Sequence, residues 1–274
     1  MRVEDSIEVG SCFRETPVSK FHLGTMSVEA YNYCLRTPLM KRQTSPQQVI
    51  VKIAQDCHSE RILRHEISQF NTAFTEESRL RNFKRNERYT HTVVFYLTSF
   101  ETRNGFTAVY AVPDVNLKEL TPMHSLYANA KISPRTSAWI FYDFLEINTI
   151  LERATRGPNN EWLLHAFPTI SLDDYLISPK NRQAMLYNLS QYNIYFQLSD
   201  FVVDCFTRFF DWVKPFGEPG EEEYFQLLKE FASGHINGVS LARTKLERFV
   251  NQHWPNKERS FTYRLNGEET WRSL

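Results

Sequence analysis

The chain has 274 residues, of which 42% are hydrophobic, and its 32 basic side chains are balanced by 32 acidic ones. This size and composition allow a substantial core, arranged as one large domain or as two lobes. A neutral chain has no overall field that would attract a nucleic acid or an anionic membrane surface. No apolar run approaches the roughly 20 residues that cross a bilayer. We therefore expect neither nucleic acid nor membrane as a partner.

The four cysteines are far apart in the sequence and show none of the paired spacings typical of zinc sites or compact disulfide frameworks. They are Cys12, Cys34, Cys57 and Cys205. Reduced thiols in the cytosol or nucleus are the expected state.

The first strand signals lie before residue 54. Residues 1–19 are weakly patterned and are interpreted as an N-terminal extension or a loose first strand, and 21–37 has the aromatic and β-branched content of one or two strands. The β-branched run 49–53 is typical of a buried strand. Lys52 interrupts that run, and a lysine at such a position needs an explanation.

A helix is predicted directly after this strand. Ser59 is the candidate N-cap, and an apolar stripe recurs at helical spacing through Leu63, Ile67, Phe70 and Phe74. Glu66 lies at the margin of the stripe, where it could reach back toward the strand. Two interpretations stay open: an ion pair with Lys52 of the kind that holds nucleotide phosphates, or a snorkelling lysine and an exposed glutamate.

A hairpin closes the first half of the chain. Strands are predicted over 91–100 and 106–112 with Asn104-Gly105 as the turn signal. The basic connection before it, residues 79–88, is either a solvated helix end or a surface for a phosphopeptide or acidic partner. The first 112 residues therefore read as an α+β lobe.

The remainder is predicted as helix and loop, apart from a small strand at 184–186. Ser133-Pro134 is a typical helix start, with Gly157-Pro158 as its stop. Further helices are predicted over 196–210, over 221–231 with Gly234 beyond its end, and after a cap at Ser240. The apolar positions of the last helix are Leu241, Leu246, Phe249 and Val250.

This order of elements resembles that of a protein kinase. Residues 161–177, EWLLHAFPTISLDDYLI, are similar to the kinase catalytic segment, with His165 at the position of its histidine and Asp173 and Asp174 near its end. The stretch AMLYNLSQ resembles the metal-binding segment and places Asn188 there.

The C-terminal part resembles the kinase domain of the Bub and BubR mitotic checkpoint proteins, through the QHWPNK stretch at 252–257 and the run FQLSDFVVDCFTRFF. The resemblance implies an α+β, two-lobed protein-kinase-like fold: a small antiparallel β lobe with one helix over 20–113, then a mainly helical lobe over 114–274. It also implies a strongly shortened activation segment, since little chain separates Ser190 from the helix expected at Phe196.

Several positions depart from the kinase pattern. Where a kinase has its catalytic aspartate, two residues after His165, this chain has Phe167. Asp174 replaces the metal-binding asparagine, and Asn188 the metal-binding aspartate; an alternative alignment places that aspartate at Asp200. A neutral amide is a poor magnesium ligand.

The chain also has no glycine-rich loop before Lys52. We therefore expect His165, Phe167, Asp173 and Asp174 to be degenerate catalytic positions. Lys52 and Glu66 would be a nucleotide-binding remnant that permits weak ATP binding, with neither ATP nor magnesium required.

Three functions follow as hypotheses. The first is a catalytically impaired kinase-like domain of a spindle assembly checkpoint protein, which docks mitotic checkpoint and kinetochore proteins in the cytoplasm and nucleus and at kinetochores in mitosis. The second is an active but unorthodox Ser/Thr kinase that uses Lys52, Glu66, an aspartate at 173 or 174, and Asp200. The third is an unrelated α+β interaction domain.

Overall fold

The structure is a computed structural model, and the chain divides into two compact units, Met1–Leu120 and Thr121–Leu274. The division therefore falls later than the boundary expected after residue 113. The described residues are 2–35, 42–75, 95–112, 121–122, 130–151, 153–156, 162–166, 175–178, 183–188, 193–195, 203, 213–236, 239–254, 262–265 and 269–273.

The first unit is built on a five-stranded antiparallel sheet in the order β1-β2-β3-β5-β4. Its strands are β1 (Ile7–Glu15), β2 (Ser19–Met26), β3 (Gln47–Ala54), β4 (Phe95–Thr102) and β5 (Gly105–Ala111). Its helices are α1 (Val28–Cys34) and α2 (Cys57–Thr75), with a 3-10 turn at Glu4–Ser6.

The central strand β3 is buried on both faces, as its β-branched composition predicts. Val49, Ile50 and Val51 are fully inaccessible to solvent. Burial of such a side chain stabilises the fold by about 1.5–3 kcal/mol. Because β3 pairs with both β2 and β5, its register determines which side chains surround Lys52.

The first nineteen residues contribute a full strand to this sheet and are not an extension outside it. β1 pairs with β2, and its residues from Glu8 to Cys12 are exposed. An edge strand with an exposed surface lacks strict alternation of apolar and polar residues, which explains the weak sequence pattern.

Of the one or two strands predicted within 21–37, one is confirmed as β2, whereas a second is wrong because α1 occupies Val28–Cys34. The Ser27 hydroxyl accepts a hydrogen bond of 3.3 Å from the Ala30 amide and caps the helix. The serine directly before the aromatic run was therefore an N-cap signal. The aromatic content led to the wrong prediction of a strand there.

The N-cap predicted for the next helix is also wrong. α2 begins at Cys57, and the Asp56 carboxylate accepts a hydrogen bond of 2.7 Å from the Ser59 amide. Leu63 and Ile67 of the predicted stripe are buried. The side chains of Phe70 and Phe74 lie outside the described residues.

The hairpin of β4 and β5 forms where Asn104-Gly105 predicted it. Gly105 has φ +114°, and a Cβ atom there would lie 2.8 Å from the Ala54 carbonyl oxygen. Only glycine fits this conformation and this close approach. The basic connection at 79–88 lies outside the described residues.

The second unit contains three helices and nine short strands among its described residues, so the prediction of only helix and loop apart from 184–186 is wrong. The helices are α3 (Pro134–Leu151), α4 (Glu221–Ala232) and α5 (Val239–His253). The strands are β6 (Thr121–Pro122), β7 (Ala130–Ile132), β8 (Arg153–Arg156), β9 (Trp162–Ala166), β10 (Tyr175–Ser178), β11 (Gln183–Leu186), β12 (Asn193–Tyr195), β13 (Thr262–Leu265) and β14 (Arg272–Ser273). They form three sheets in the orders β11-β10-β6, β12-β9-β8 and β14-β13-β7. Strands this short carry too little periodicity to be detected in sequence.

Helix α3 is the central element of the second unit and packs against α4 and α5. It starts at Ser133-Pro134 as predicted, with the Ser133 hydroxyl accepting a hydrogen bond of 3.2 Å from the Thr136 amide. It ends at Leu151, before the predicted stop at 157–158, because the chain turns into β8 there.

The last two helices follow the predicted positions, with two differences. α4 ends before Gly234, whose φ of +74° is typical of a helix terminus. α5 begins at Val239, so Ser240 lies inside it, and Leu241 is exposed instead of buried. Of the helix predicted over 196–210, only Val203 is described.

We predict that Asp56→Ala lowers the thermal unfolding midpoint, because the Ser59 amide loses its acceptor, and that Asp56→Asn largely preserves it. The hydrogen bond from the Ser59 backbone holds the pKa of Asp56 below its ordinary value of 3.8. The stabilisation is therefore complete above pH 3.8 and is lost as the pH falls through the lowered pKa. Thermal unfolding measured between pH 2 and 6 checks this: equal acid sensitivity of the native chain and Asp56→Asn would contradict it.

Candidate functional site

The lysine that interrupts the central strand is buried. Lys52 is 1% exposed, on the face of the sheet that also carries its cross-strand neighbours Phe21 and Ala108. A buried ammonium group requires a compensating charge, since leaving it unpaired in an apolar interior is very costly.

That charge is provided by Glu66 on α2. The Lys52 Nζ atom lies 2.5 Å from Glu66 Oε2, and Glu66 is 2% exposed. The interpretation of a snorkelling lysine and an exposed glutamate is therefore wrong. The sequence correctly placed both residues close enough to pair, because β3 and α2 are adjacent in the chain.

A third polar group completes the cluster and was not predicted. The Tyr110 hydroxyl on β5 donates a hydrogen bond of 2.9 Å to Glu66 Oε1. Burial raises the pKa of Tyr110 well above its ordinary value, and the nearby Glu66 carboxylate raises it further, so the phenol stays protonated and acts as the donor. We call Lys52, Glu66 and Tyr110 the buried triad.

The position of Tyr110 depends on strand register. Tyr110 pairs directly with Ile50, two residues before Lys52, so Tyr110 and Lys52 lie on the same face of the sheet. The sequence predicted both strands but gave no register between them. A tyrosine in a mostly apolar strand was the available signal, since buried tyrosines usually find a hydrogen-bond partner.

An aromatic ring lies on the other side of the lysine. The Lys52 Nζ atom is 5.1 Å from the centroid of the Phe21 ring, and Phe21 is fully buried. This distance is within the range of a cation–π interaction. The Lys52 side chain is thus surrounded by Phe21, Glu66 and Tyr110.

The β1–β2 turn, residues 16–18, is closed by its own hydrogen bonds. The Thr16 hydroxyl oxygen accepts from the amides of Val18 at 3.3 Å and Ser19 at 3.0 Å, and the Thr16 amide donates to the Ser19 carbonyl at 2.9 Å. Pro17 has no amide hydrogen. Each amide hydrogen from Thr16 to Ser19 therefore has an acceptor within the turn.

This turn differs physically from a phosphate-binding loop. Phosphate-cradling loops present several free backbone amides to the ligand, usually on glycines. Here the amides are engaged, and the turn is fastened to the end of β3 by hydrogen bonds from Gln55 to the Thr16 and Val18 carbonyls. The sequence has no glycine-rich loop here, and in the structure the backbone amides of the turn are hydrogen-bonded within the chain.

Of the other predicted site residues, only His165 and Asn188 are among the described residues. His165 lies on β9, opposite Arg153 and Ile194. Phe167, Asp173, Asp174 and Asp200 lie outside the described residues, so their catalytic and metal-binding assignments stay predictions. The shortened activation segment likewise stays a prediction, because of residues 189–200 only 193–195 are described.

Asn188 is described and is buried, with 5% of its surface exposed. It follows the β10–β11 hairpin, which begins one residue after Asp174. The predicted strand at 184–186 is therefore confirmed as β11, while the role of Asn188 as a metal ligand stays a prediction.

Within the described ranges the structure shows neither a metal-binding cluster nor a membrane-spanning helix. No three histidine, cysteine, aspartate or glutamate side chains there lie close enough together to hold a metal ion. None of the helices there is long and apolar enough to span a membrane.

Comparison with known proteins identifies the fold. No family model matches the chain, and no curated protein matches it in sequence. The chain is similar in structure to vaccinia related kinase 3, with a TM-score of 0.57 over 90% of this chain and 87% of that one, at 9% sequence identity. The chain therefore has an α+β, protein-kinase-like fold. An ion pair between the third strand and the following helix, such as Lys52 and Glu66 form here, also occurs in protein kinases.

An identity of 9% establishes the fold and nothing finer. These comparisons provide no support for the Bub and BubR proteins specifically. The kinase-like fold does not favour the third hypothesis, an α+β interaction domain unrelated to kinases.

We predict that Thr16→Val lowers the unfolding midpoint by about 2–6 °C, because the amides of Val18 and Ser19 lose their acceptor. Thr16→Ser retains the hydroxyl and should unfold close to the native chain. Differential scanning calorimetry of the three proteins measures this. Equal midpoints for Thr16→Val and Thr16→Ser would show that the hydroxyl does not close the turn.

Proposed function

We propose that this chain is a catalytically impaired protein-kinase-like domain that acts as a structural or docking module. The observation that carries the proposal is the burial of Lys52. In a working kinase this lysine pairs with the helix glutamate and also holds the nucleotide phosphates, whereas here the paired lysine is only 1% exposed. A phosphate could reach it only after the surrounding side chains move.

The β1–β2 turn supports the same conclusion independently. Phosphoryl transfer depends almost entirely on positioning and charge stabilisation of the phosphates. The turn at 16–18 offers neither glycine flexibility nor a free amide within Thr16 to Ser19. Every backbone amide hydrogen of this stretch is therefore engaged within the chain.

The residue types at the degenerate positions add a third line of support. Phe167 has no group that can accept a proton from a substrate hydroxyl, and Asn188 is a weaker magnesium ligand than an aspartate. Loss of the base together with a metal ligand should reduce phosphoryl transfer by several orders of magnitude.

The first prediction from this proposal is that neither ATP alone nor ATP with magnesium raises the unfolding midpoint of the purified chain at millimolar concentration. A ligand at a hundredfold excess over its Kd stabilises the folded state by about 2.7 kcal/mol, which thermal-shift titration detects readily. No transfer of labelled phosphate to a generic protein substrate is expected either.

The informative variant is Lys52→Met, with Lys20→Met as its matched control. Lys20 lies on the neighbouring strand with 46% of its side chain exposed, so the same substitution there leaves the buried triad intact. A magnesium-dependent stabilisation by ATP that Lys20→Met retains and Lys52→Met loses would overturn the proposal in favour of an active or nucleotide-binding kinase.

A more specific proposal concerns a role in the spindle assembly checkpoint. We propose that the domain acts with mitotic checkpoint and kinetochore proteins, in the cytoplasm and nucleus and at kinetochores in mitosis. Its support is the similarity of the 252–257 stretch to the Bub and BubR proteins. In the structure, the Trp254 indole donates to the Pro219 carbonyl at 2.9 Å, and His253 stacks on Phe249. The side chains of His253 and Trp254 are therefore used in packing within the chain.

We expect the fluorescently tagged chain to concentrate at unattached kinetochores when mitosis is arrested, because checkpoint proteins act there. Live imaging of cells of its own organism, with the tag alone as control, measures this. A uniform distribution of the chain in arrested cells would contradict the checkpoint role and leave the kinase-like docking module to be assigned to another process.

A further inference from the structure

The outer edge of the five-stranded sheet is formed by β1. Among the described strands β1 pairs with β2 alone, and its residues from Glu8 to Cys12 are exposed. A strand at a sheet edge presents backbone N–H and C=O groups to which another strand can add. β1 is nine residues long and contains neither proline nor lysine, two residues that commonly protect such edges. This edge therefore has room for a further strand.

The strand at the opposite edge, β4, is used by the helices of the first unit. It packs against α1 and α2, its side chains from Phe95 to Leu97 are buried, and Glu101 near its end is ion-paired with Arg64 of α2. In β1, by contrast, five consecutive residues are exposed. Of the two edge strands, β1 thus offers the larger accessible surface.

The register with β2 places an acid and a base on the same face of β1. Glu8 is opposite Thr25, and Arg14 is opposite Phe21. Residues four apart in β2 point to the same face of the sheet, so Glu8 and Arg14 also share a face. The two bulges that interrupt β1 between these residues therefore offset each other.

The sequence of β1 is complementary to itself when two copies run antiparallel about Ser11. Each Glu8 is then opposite the Arg14 of the other copy. Opposite charges across antiparallel strands stabilise the pairing and like charges destabilise it. A shift by one residue in either direction loses both charge pairs, and one of the two shifts places Glu8 opposite Glu15. A guanidinium has five N–H donors, so Arg14 can serve more than one acceptor.

The other residues of β1 suit the same alignment. Cys12 is opposite Gly10 of the other copy, which has no side chain to obstruct the approach. The Gly10 carbonyl is engaged by the His22 ring at 3.0 Å, so the backbone ladder is formed by the segments on either side of it. Val9, which is 48% exposed, is opposite Phe13, and their contact removes apolar surface from water.

We propose that the chain associates with a second copy of itself by antiparallel pairing of the two β1 strands, centred on Ser11 and held by two Glu8–Arg14 ion pairs. The interface is two-fold symmetric, so each favourable contact occurs twice. One pair of strands buries less surface than a stable dimer usually does, and the association is therefore weak and depends on a high local concentration. The inference goes beyond the proposed function, since it does not depend on whether the chain binds a nucleotide or transfers phosphate.

The first test is sedimentation of the purified full chain over a range of concentrations. Glu8→Arg places like charges opposite each other in both halves of the interface and should raise the dimer dissociation constant at least about fivefold. Arg14→Glu should act in the same direction, and the double variant that exchanges the two charges should recover association. Glu222→Arg is the matched control, because it makes the same charge change at an exposed residue of α4 in the second unit.

Crosslinking with a short bismaleimide is a second measurement, and it requires no change at Arg14. In the proposed pairing the two Cys12 residues are diagonal neighbours, with about 7–8 Å between their Cα atoms. Cys12 is exposed and is a free thiol, as is Cys57 on α2. Mass spectrometry of the linked peptides should therefore find Cys12 joined to Cys12 in excess over Cys57 joined to Cys57, which reports random collisions.

The outcomes decide this inference separately from the proposed function. Sedimentation as a monomer at every concentration, or a dissociation constant that Glu8→Arg changes no more than Glu222→Arg does, would overturn the β1 pairing. Crosslinks through Cys12 that are no more frequent than those through Cys57 would overturn it as well. Weaker association of Glu8→Arg, recovery in the double variant and an excess of Cys12 crosslinks would support it. The response of the chain to ATP tests the proposed function and has no bearing on these results.

Discussion

The burial of one ammonium group constrains the first unit of this protein. Lys52 lies in the middle of the sheet, almost fully removed from solvent, and its charge must be compensated inside the protein. Helix α2 has to lie where Glu66 reaches the sheet, and β5 has to be in the register that brings Tyr110 to the same carboxylate. An apolar core tolerates small shifts of a helix, whereas a hydrogen-bonded charge pair does not.

If the chain is catalytically impaired as proposed, the same arrangement explains how a kinase-like fold can persist without the chemistry usually associated with it. A fold does not by itself imply a function, because function depends on particular groups placed on it. In this chain the lysine and glutamate characteristic of kinases remain and satisfy each other. The turn between β1 and β2 uses its amides to close itself through Thr16. Both features would serve stability in a domain that no longer handles phosphate.

Prediction from sequence succeeded where the signal was local. The β-branched run of β3, the Ser133-Pro134 start of α3 and the Asn104-Gly105 turn are each short patterns whose physical cause lies within a few residues. It failed where tertiary context overrode the pattern. Aromatic residues suggested a strand at α1, a serine was preferred to the aspartate that caps α2, and the short strands of the second unit left no detectable periodicity.

The sequence by itself determined the α+β class and the kinase-like order of elements, and it offered an ion pair of Lys52 and Glu66 as one of two interpretations, because strand and helix are consecutive and their periodicities are encoded locally. Only the tertiary structure decided that this pair is buried, that Tyr110 completes it and that Phe21 covers the lysine. Those facts depend on the register between strands distant in sequence, and a shift of one residue would turn each of these side chains to the opposite face of the sheet.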